Sequence, residues 1–96
     1  MTPIIVEQLT DKRKKELGLP DKCQAHGPWS VWECAPSTFD WHYEQREYAY
    51  LYEGEVKIKT SLGEVSIKSG DFVTFPAGLS CTWTVLKKVR KVYMFK

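Results

Sequence analysis

Two short stretches hold most of the side chains in this sequence that are capable of chemistry. One runs Asp40-Trp41-His42-Tyr43-Glu44-Gln45-Arg46-Glu47, and the other, Gly70 to Cys81, reads GDFVTFPAGLSC. Histidine and glutamate are the types that move protons near neutral pH, and imidazole, carboxylate and thiolate are all donors for divalent ions. Strand alternation groups them: Asp40 shares a face with His42, Glu47 with Ala49 and Leu51, and Cys81 with Trp83 and Val85. A cysteine nucleophile requires exposure and a cationic neighbour, and His42 is the one this reading offers to Cys81. Each residue also has a structural role open to it, His42 as a half-exposed strand residue, Glu47 as a partner for a tyrosine and Cys81 as a small buried hydrophobe. Cys23-Gln24-Ala25-His26 has the form of half a zinc site, but with no second half nearby it reads as loop.

The elements that must position these side chains are mostly strands. Thr10-Asp11 is a helix start and Gly18 with Pro20 a stop, so a short helix is expected over residues 11–17. From Trp29 onward the period is that of strands. Glu55-Val56-Lys57-Ile58-Lys59 and Glu64-Val65-Ser66-Ile67-Lys68 alternate apolar with charged residues around a turn at Ser61-Leu62-Gly63, the pattern of a hairpin with one wet side. Further strands are expected at about 29–35, 46–53, 71–75, 79–86 and 90–95. Short strands at this spacing indicate a sandwich or barrel, and the absence of an internal repeat excludes propellers and solenoids.

Composition narrows the function classes. The sequence has 96 residues, 43% hydrophobic and 27% charged, the balance of a folded water-soluble domain. Its net charge of +2 arises from fourteen basic and twelve acidic residues that are interspersed. The two basic runs, Lys12-Arg13-Lys14-Lys15 and Lys87-Lys88-Val89-Arg90-Lys91, read as a solvated helix face and a solvated strand connection, so nucleic-acid binding is not expected. Three cysteines without a C-x-x-C spacing argue against a disulfide scaffold and for the cytoplasm or another reducing compartment, organellar if a transit peptide has been removed. Ile4-Ile5-Val6 is too short for a signal-peptide core, and no membrane span is expected.

The spacing of the two stretches resembles the paired motifs of the cupin superfamily. His42, Glu47 and Gly54 fall on the second histidine, glutamate and glycine of H-x-H-x4-E-x6-G, while Gly70, Pro76 and Gly78 fall on G-x5-P-x-G-x2-H-x3-N. Three positions depart: Asp40 stands for the first histidine, Cys81 for the last and Val85 for the asparagine. The short form, with FPAGLSCTW in the second motif, looks most like the cupin family that includes the domains of (S)-ureidoglycine aminohydrolase, a two-cupin manganese enzyme, together with an ethanolamine-utilisation accessory protein and small stand-alone members. The resemblance implies an all-β, cupin-type jelly-roll β-barrel with one short N-terminal helix, a barrel over residues 28–96 preceded by an arm of strand, helix and loop over residues 1–27. It also implies that Asp40, His42, Glu47 and Cys81 converge on the barrel interior as ligands for one divalent ion, zinc, iron, nickel or manganese, if the site holds one at all.

Two functional readings follow. In the first, the chain is a small-molecule-binding or metal-dependent cupin in which Glu47 and His42 act on a ligand held between Trp41, Tyr43, Cys81 and Trp83. In the second it is a metal-free interaction module. Tyr48, Tyr50 and Tyr52 alternate onto the face opposite Glu47, outside the barrel, where the N-terminal segment or a second copy in a homodimer is expected to cover them.

Overall fold

The computed structural model describes residues 4–96, so the first three residues of the expected arm lie outside it. Its elements are β1 (Ile5–Gln8), α1 (Asp11–Glu16), β2 (Ser30–Cys34), β3 (Ser37–His42), β4 (Glu47–Thr60), β5 (Gly63–Lys68), β6 (Asp71–Phe75) and β7 (Ser80–Phe95). The helix is short and capped as the sequence suggests: the Thr10 side chain accepts from the Arg13 N–H. All strand pairs are antiparallel, and the architecture is the all-β jelly roll expected. Two expectations are corrected. β3 lies outside the expected strand spans, and the two pairs of strands expected over 46–59 and 79–95 are single strands of 14 and 16 residues.

Those two long strands organise everything else. β4 and β7 pair along almost their whole length, from Glu47↔Phe95 to Lys59↔Thr82. The first half of β4 and the last half of β7 sit in a sheet ordered β1-β6-β4-β7-β2, while their other halves pair with β5 and β3. Each strand therefore passes from one sheet to the other. The crossing is marked by irregular register between Leu51 and Val56, where bulges bend the strand. Gly54 lies at this bend with φ +107°, and a Cβ there would come within 2.6 Å of the Lys88 carbonyl oxygen and the Val89 Cα. Only glycine allows the two strands to fold over together.

The sheets enclose one apolar cluster that includes Ala49, Leu51, Val56, Ile58, Ile67, Val73, Phe75, Leu79, Trp83, Val85 and Val89. A second cluster lies on the outer face of the larger sheet, where Trp29, Tyr50, Phe72 and Val92 pack under Leu17, Leu19 and Cys23 of the arm. Trp29 Nε1 donates to the Leu17 carbonyl at 3.0 Å, and the Tyr52 hydroxyl donates to the Pro20 carbonyl. Thus the chain's own arm packs over the outer tyrosines, leaving Tyr50 8% exposed and Tyr48 and Tyr52 half-buried. In the second motif Gly78 has φ +85° and its N–H donates to the Tyr43 carbonyl, tying the Pro76-Ala77-Gly78 turn to the end of β3. Gly54→Ala is expected to lower stability by about 1–3 kcal/mol from the backbone conformation alone, with the clash against β7 adding to it, as read from a urea midpoint.

Candidate functional site

β3 reads Phe39-Asp40-Trp41-His42 and continues into Tyr43, a strict alternation of ring and polar residue. One face must go inside, and burying aromatic rings is favourable by roughly 1.5–3 kcal/mol each whereas burying an unpaired charge is costly. The rings win. Residues directly opposite in an antiparallel pair share a face, so Phe39↔Trp83 and Trp41↔Cys81 look inward while Asp40↔Thr82 and His42↔Ser80 look outward. Inside, these rings and those of β2, β4 and β7 surround a cavity of about 270 Å³ lined by Trp32, Phe39, Trp41, Tyr43, Glu47, Trp83, Lys91, Tyr93 and Phe95. Trp41 and Phe95, about half exposed, form its mouth.

The polar centre of this cavity is an ion pair. Lys91 Nζ donates to Glu47 Oε2 at 2.8 Å, and both side chains are 5–6% exposed. Lys91 pairs with Leu51, four residues beyond Glu47 on β4, so the two side chains must lean toward each other along the strand direction to meet, across a backbone offset of roughly 13 Å. The ammonium ends among ring faces, 4.9 Å from the Trp83 centroid, 5.0 Å from Trp32, 5.4 Å from Tyr93 and 5.9 Å from Phe75. Such rings stabilise a cation most where water is excluded. Burial nevertheless pulls the Lys91 ammonium below the ordinary lysine range, against the opposing pull of Glu47. The Trp83 indole N–H is buried without a hydrogen-bond partner of full geometry, though it lies close enough to Tyr43 and Cys81 to favour their anions. Burial outweighs that effect at both, raising Tyr43 and pushing the Cys81 thiol up to about 11.

The expected convergence of Asp40, His42, Glu47 and Cys81 on one point is therefore corrected. Glu47 lines the cavity and Cys81 is buried beside Trp83. Asp40 accepts from Thr82 Oγ1 at 2.8 Å on the outer wall, and His42 Nδ1 meets Ser80 Oγ at 2.8 Å there. These two border a shallow open depression with Lys59 and Thr82, with Cys81 at its edge. Among the described residues no three His, Cys, Asp or Glu side chains come together as a metal-holding group. The carboxylate left inside is already neutralised by an ammonium, so this donor set does not fit a metal held by the four residues. Trp41, Tyr43 and Trp83 do meet in the cavity. Sequence reasoning missed Trp32, Phe39, Tyr93, Phe95 and, above all, Lys91. The available signal was the alternation Val89, Lys91, Tyr93, which sets the lysine on an apolar face of a strand.

Comparison with known proteins is consistent with this architecture. The model of the EutQ-like cupin domain matches residues 24–93. The chain belongs to the EutQ-like cupin domain family. A DUF861-family protein from Thermotoga maritima, known from its crystal structure, is 39% identical over 98% of this cupin and 100% of that chain, with a TM-score of 0.87. The Clostridium difficile EutQ protein is 22% identical over 94% of this cupin and 64% of its own chain, with a TM-score of 0.63. A putative ethanolamine utilization protein Q from Salmonella typhimurium is 17% identical over 94% of this cupin and 66% of its own chain, with a TM-score of 0.61. These last two likenesses are of fold. No curated protein matches the sequence.

Two outcomes follow from the buried charges. Glu47→Gln or Lys91→Met alone is expected to cost about 3–5 kcal/mol by leaving a buried charge unpaired, whereas Glu47→Leu with Lys91→Met is expected to be neutral or stabilising by about 1–4 kcal/mol. Urea unfolding of the four proteins reads both. For Cys81, a thiol raised in the folded state contributes stability that is held below its ordinary value near 9 and lost as pH climbs through about 11. The stability difference between the parent protein and Cys81→Ala is thus expected to shift against the parent between pH 9 and pH 11, measured by denaturation at each pH.

Proposed function

We propose that this cupin is a metal-free small-molecule-binding protein whose aromatic cavity takes a single-ring, uncharged compound and offers it the Glu47–Lys91 pair. The observation that carries this reading is the closed neutral charge balance of the cavity wall. Its two charged groups lie 2.8 Å apart and cancel, and its other seven lining residues are aromatic. An anionic ligand would meet Glu47 unpaired and a cationic one would compete with Lys91 for the same ring faces, whereas an uncharged ligand leaves the pair intact. A volume of about 270 Å³ lies below the range of drug-sized pockets and suits one ring with a polar substituent. A carbonyl or hydroxyl oxygen on that ring would accept from Lys91.

The likeness to the ureidoglycine aminohydrolase cupins adds no reaction to this reading, because the manganese chemistry of that enzyme needs a convergent ligand set and Asp40 and His42 face away from Glu47. The reading with the tyrosine face as an interaction surface loses support from the arm that packs on Tyr50.

Four tryptophan indole N–H resonances provide the test. Titration with benzamide or benzyl alcohol is expected to shift those of Trp32, Trp41 and Trp83 and leave that of Trp29, which is held by Leu17 on the far side of the sheet. Benzoate and benzylamine are expected to bind at least about tenfold more weakly, equivalent to 1.4 kcal/mol. Shifts confined to Trp29, equal affinity for the charged analogues, or purified protein that carries near-stoichiometric metal lost in Glu47→Gln would each overturn the reading.

A further inference from the structure

Lys91 is the one amine among the residues that line the cavity, and its nitrogen meets an oxygen of Glu47 at 2.8 Å. A primary amine with an adjacent carboxyl group, enclosed by rings that exclude water, is an arrangement suited to condensation with a carbonyl carbon. We propose that Lys91 captures uncharged apolar aldehydes as a reversible imine, with Glu47 carrying the protons. The inference rests on the cavity being a ligand site and names the class of ligand it retains. Neither residue is assigned this role by the family match.

The step balances without any redox partner. Lys91 Nζ passes a proton to Glu47, and the lone pair so exposed forms a C–N bond with the aldehyde carbon while the carbonyl π pair moves to oxygen. That oxygen takes the proton from Glu47. The carboxylate then removes a proton from the nitrogen and returns it to the hydroxyl, which leaves as water as the nitrogen lone pair closes the C=N bond. The product is an iminium facing a carboxylate, so the cavity holds the same charges before and after. Charge conservation matters in a site that cannot solvate an extra ion. The rings that surround the ammonium serve the iminium in the same way. Burial favours the neutral amine that the first step requires.

Limited reaction of the whole protein with benzaldehyde and sodium cyanoborohydride near neutral pH traps the imine as an N-benzyl amine, and peptide mapping locates it. Lys91 is expected to be modified at least about tenfold faster than any exposed lysine, a small part of what fixed proximity can supply, and benzamide is expected to protect it. Lys91→Arg keeps the charge and is expected to lose cavity labelling while still shifting with benzamide. Glu47→Gln, if folded by circular dichroism, is expected to slow labelling and change its pH profile. If exposed lysines react first while benzamide still shifts Trp32 and Trp83, the imine is overturned and the cavity reading stands. If benzamide produces no shift and Lys91 is inert, both fall. The parent protein alone decides between these outcomes, whatever the variants do.

Discussion

The pairing of β4 with β7 is the constraint on which the rest of this molecule depends. A single ladder running from Glu47↔Phe95 to Lys59↔Thr82 joins both sheets, so the bend at Gly54 in one strand has to be matched in the other. That ladder brings Glu47 from the start of β4 and Lys91 from late in β7 onto the same inner face. Residues 44 positions apart in sequence thereby become neighbours without a loop to tune their distance. Sites built on strands in this way hold their geometry more rigidly than sites built on loops.

The ion pair at the centre is weak evidence for stability, because desolvation of two charges offsets much of their attraction. The surrounding rings do not demand it either: Phe39 stacks on Trp83, and Tyr43 lies parallel to Phe75 with centroids 4.6 Å apart, contacts that an apolar pair would leave in place. A carboxylate and an ammonium held in an aromatic box that opens past Trp41 and Phe95 are thus not required by the packing, and they are what the proposed function rests on. On the proposed function, specificity comes from charge cancellation, since a charged guest would have to displace one of the residents.

Much of the fold was legible. The alternation from Val56 to Ile67 showed a one-sided hairpin, and Gly70, Pro76 and Gly78 marked turns that the structure contains. The site was harder to read for a definite physical reason. Motif spacing aligned Asp40 and His42 with inward ligands, but a shift of one residue in a strand reverses every side chain, and the rings at 39, 41 and 43 had the stronger claim on the interior. Hydrophobicity outvoted motif. Lys91 was hidden by its neighbours: within Lys87-Lys88-Val89-Arg90-Lys91 it looks like one more solvated cation, and only the unbroken strand through that run turns Arg90 toward the surface pair with Glu33 and Glu53 while Lys91 turns inward.

The two walls of this barrel have different surroundings. The wall built from β3, β5 and the adjoining halves of β4 and β7 meets water, and there residues such as Lys57 and Thr82 alternate with the core. The other wall is sandwiched between the barrel interior and the arm, so Tyr50 and Leu51, Phe72 and Val73, and Lys91 and Val92 are buried in consecutive pairs. Mutational drift should consequently be lopsided: the wet wall can exchange every second residue for almost any other polar one, while the stretch of the other wall that lies under the arm, at Tyr50–Leu51, Phe72–Val73 and Lys91–Val92, can change on neither side without a compensating change in a neighbouring layer.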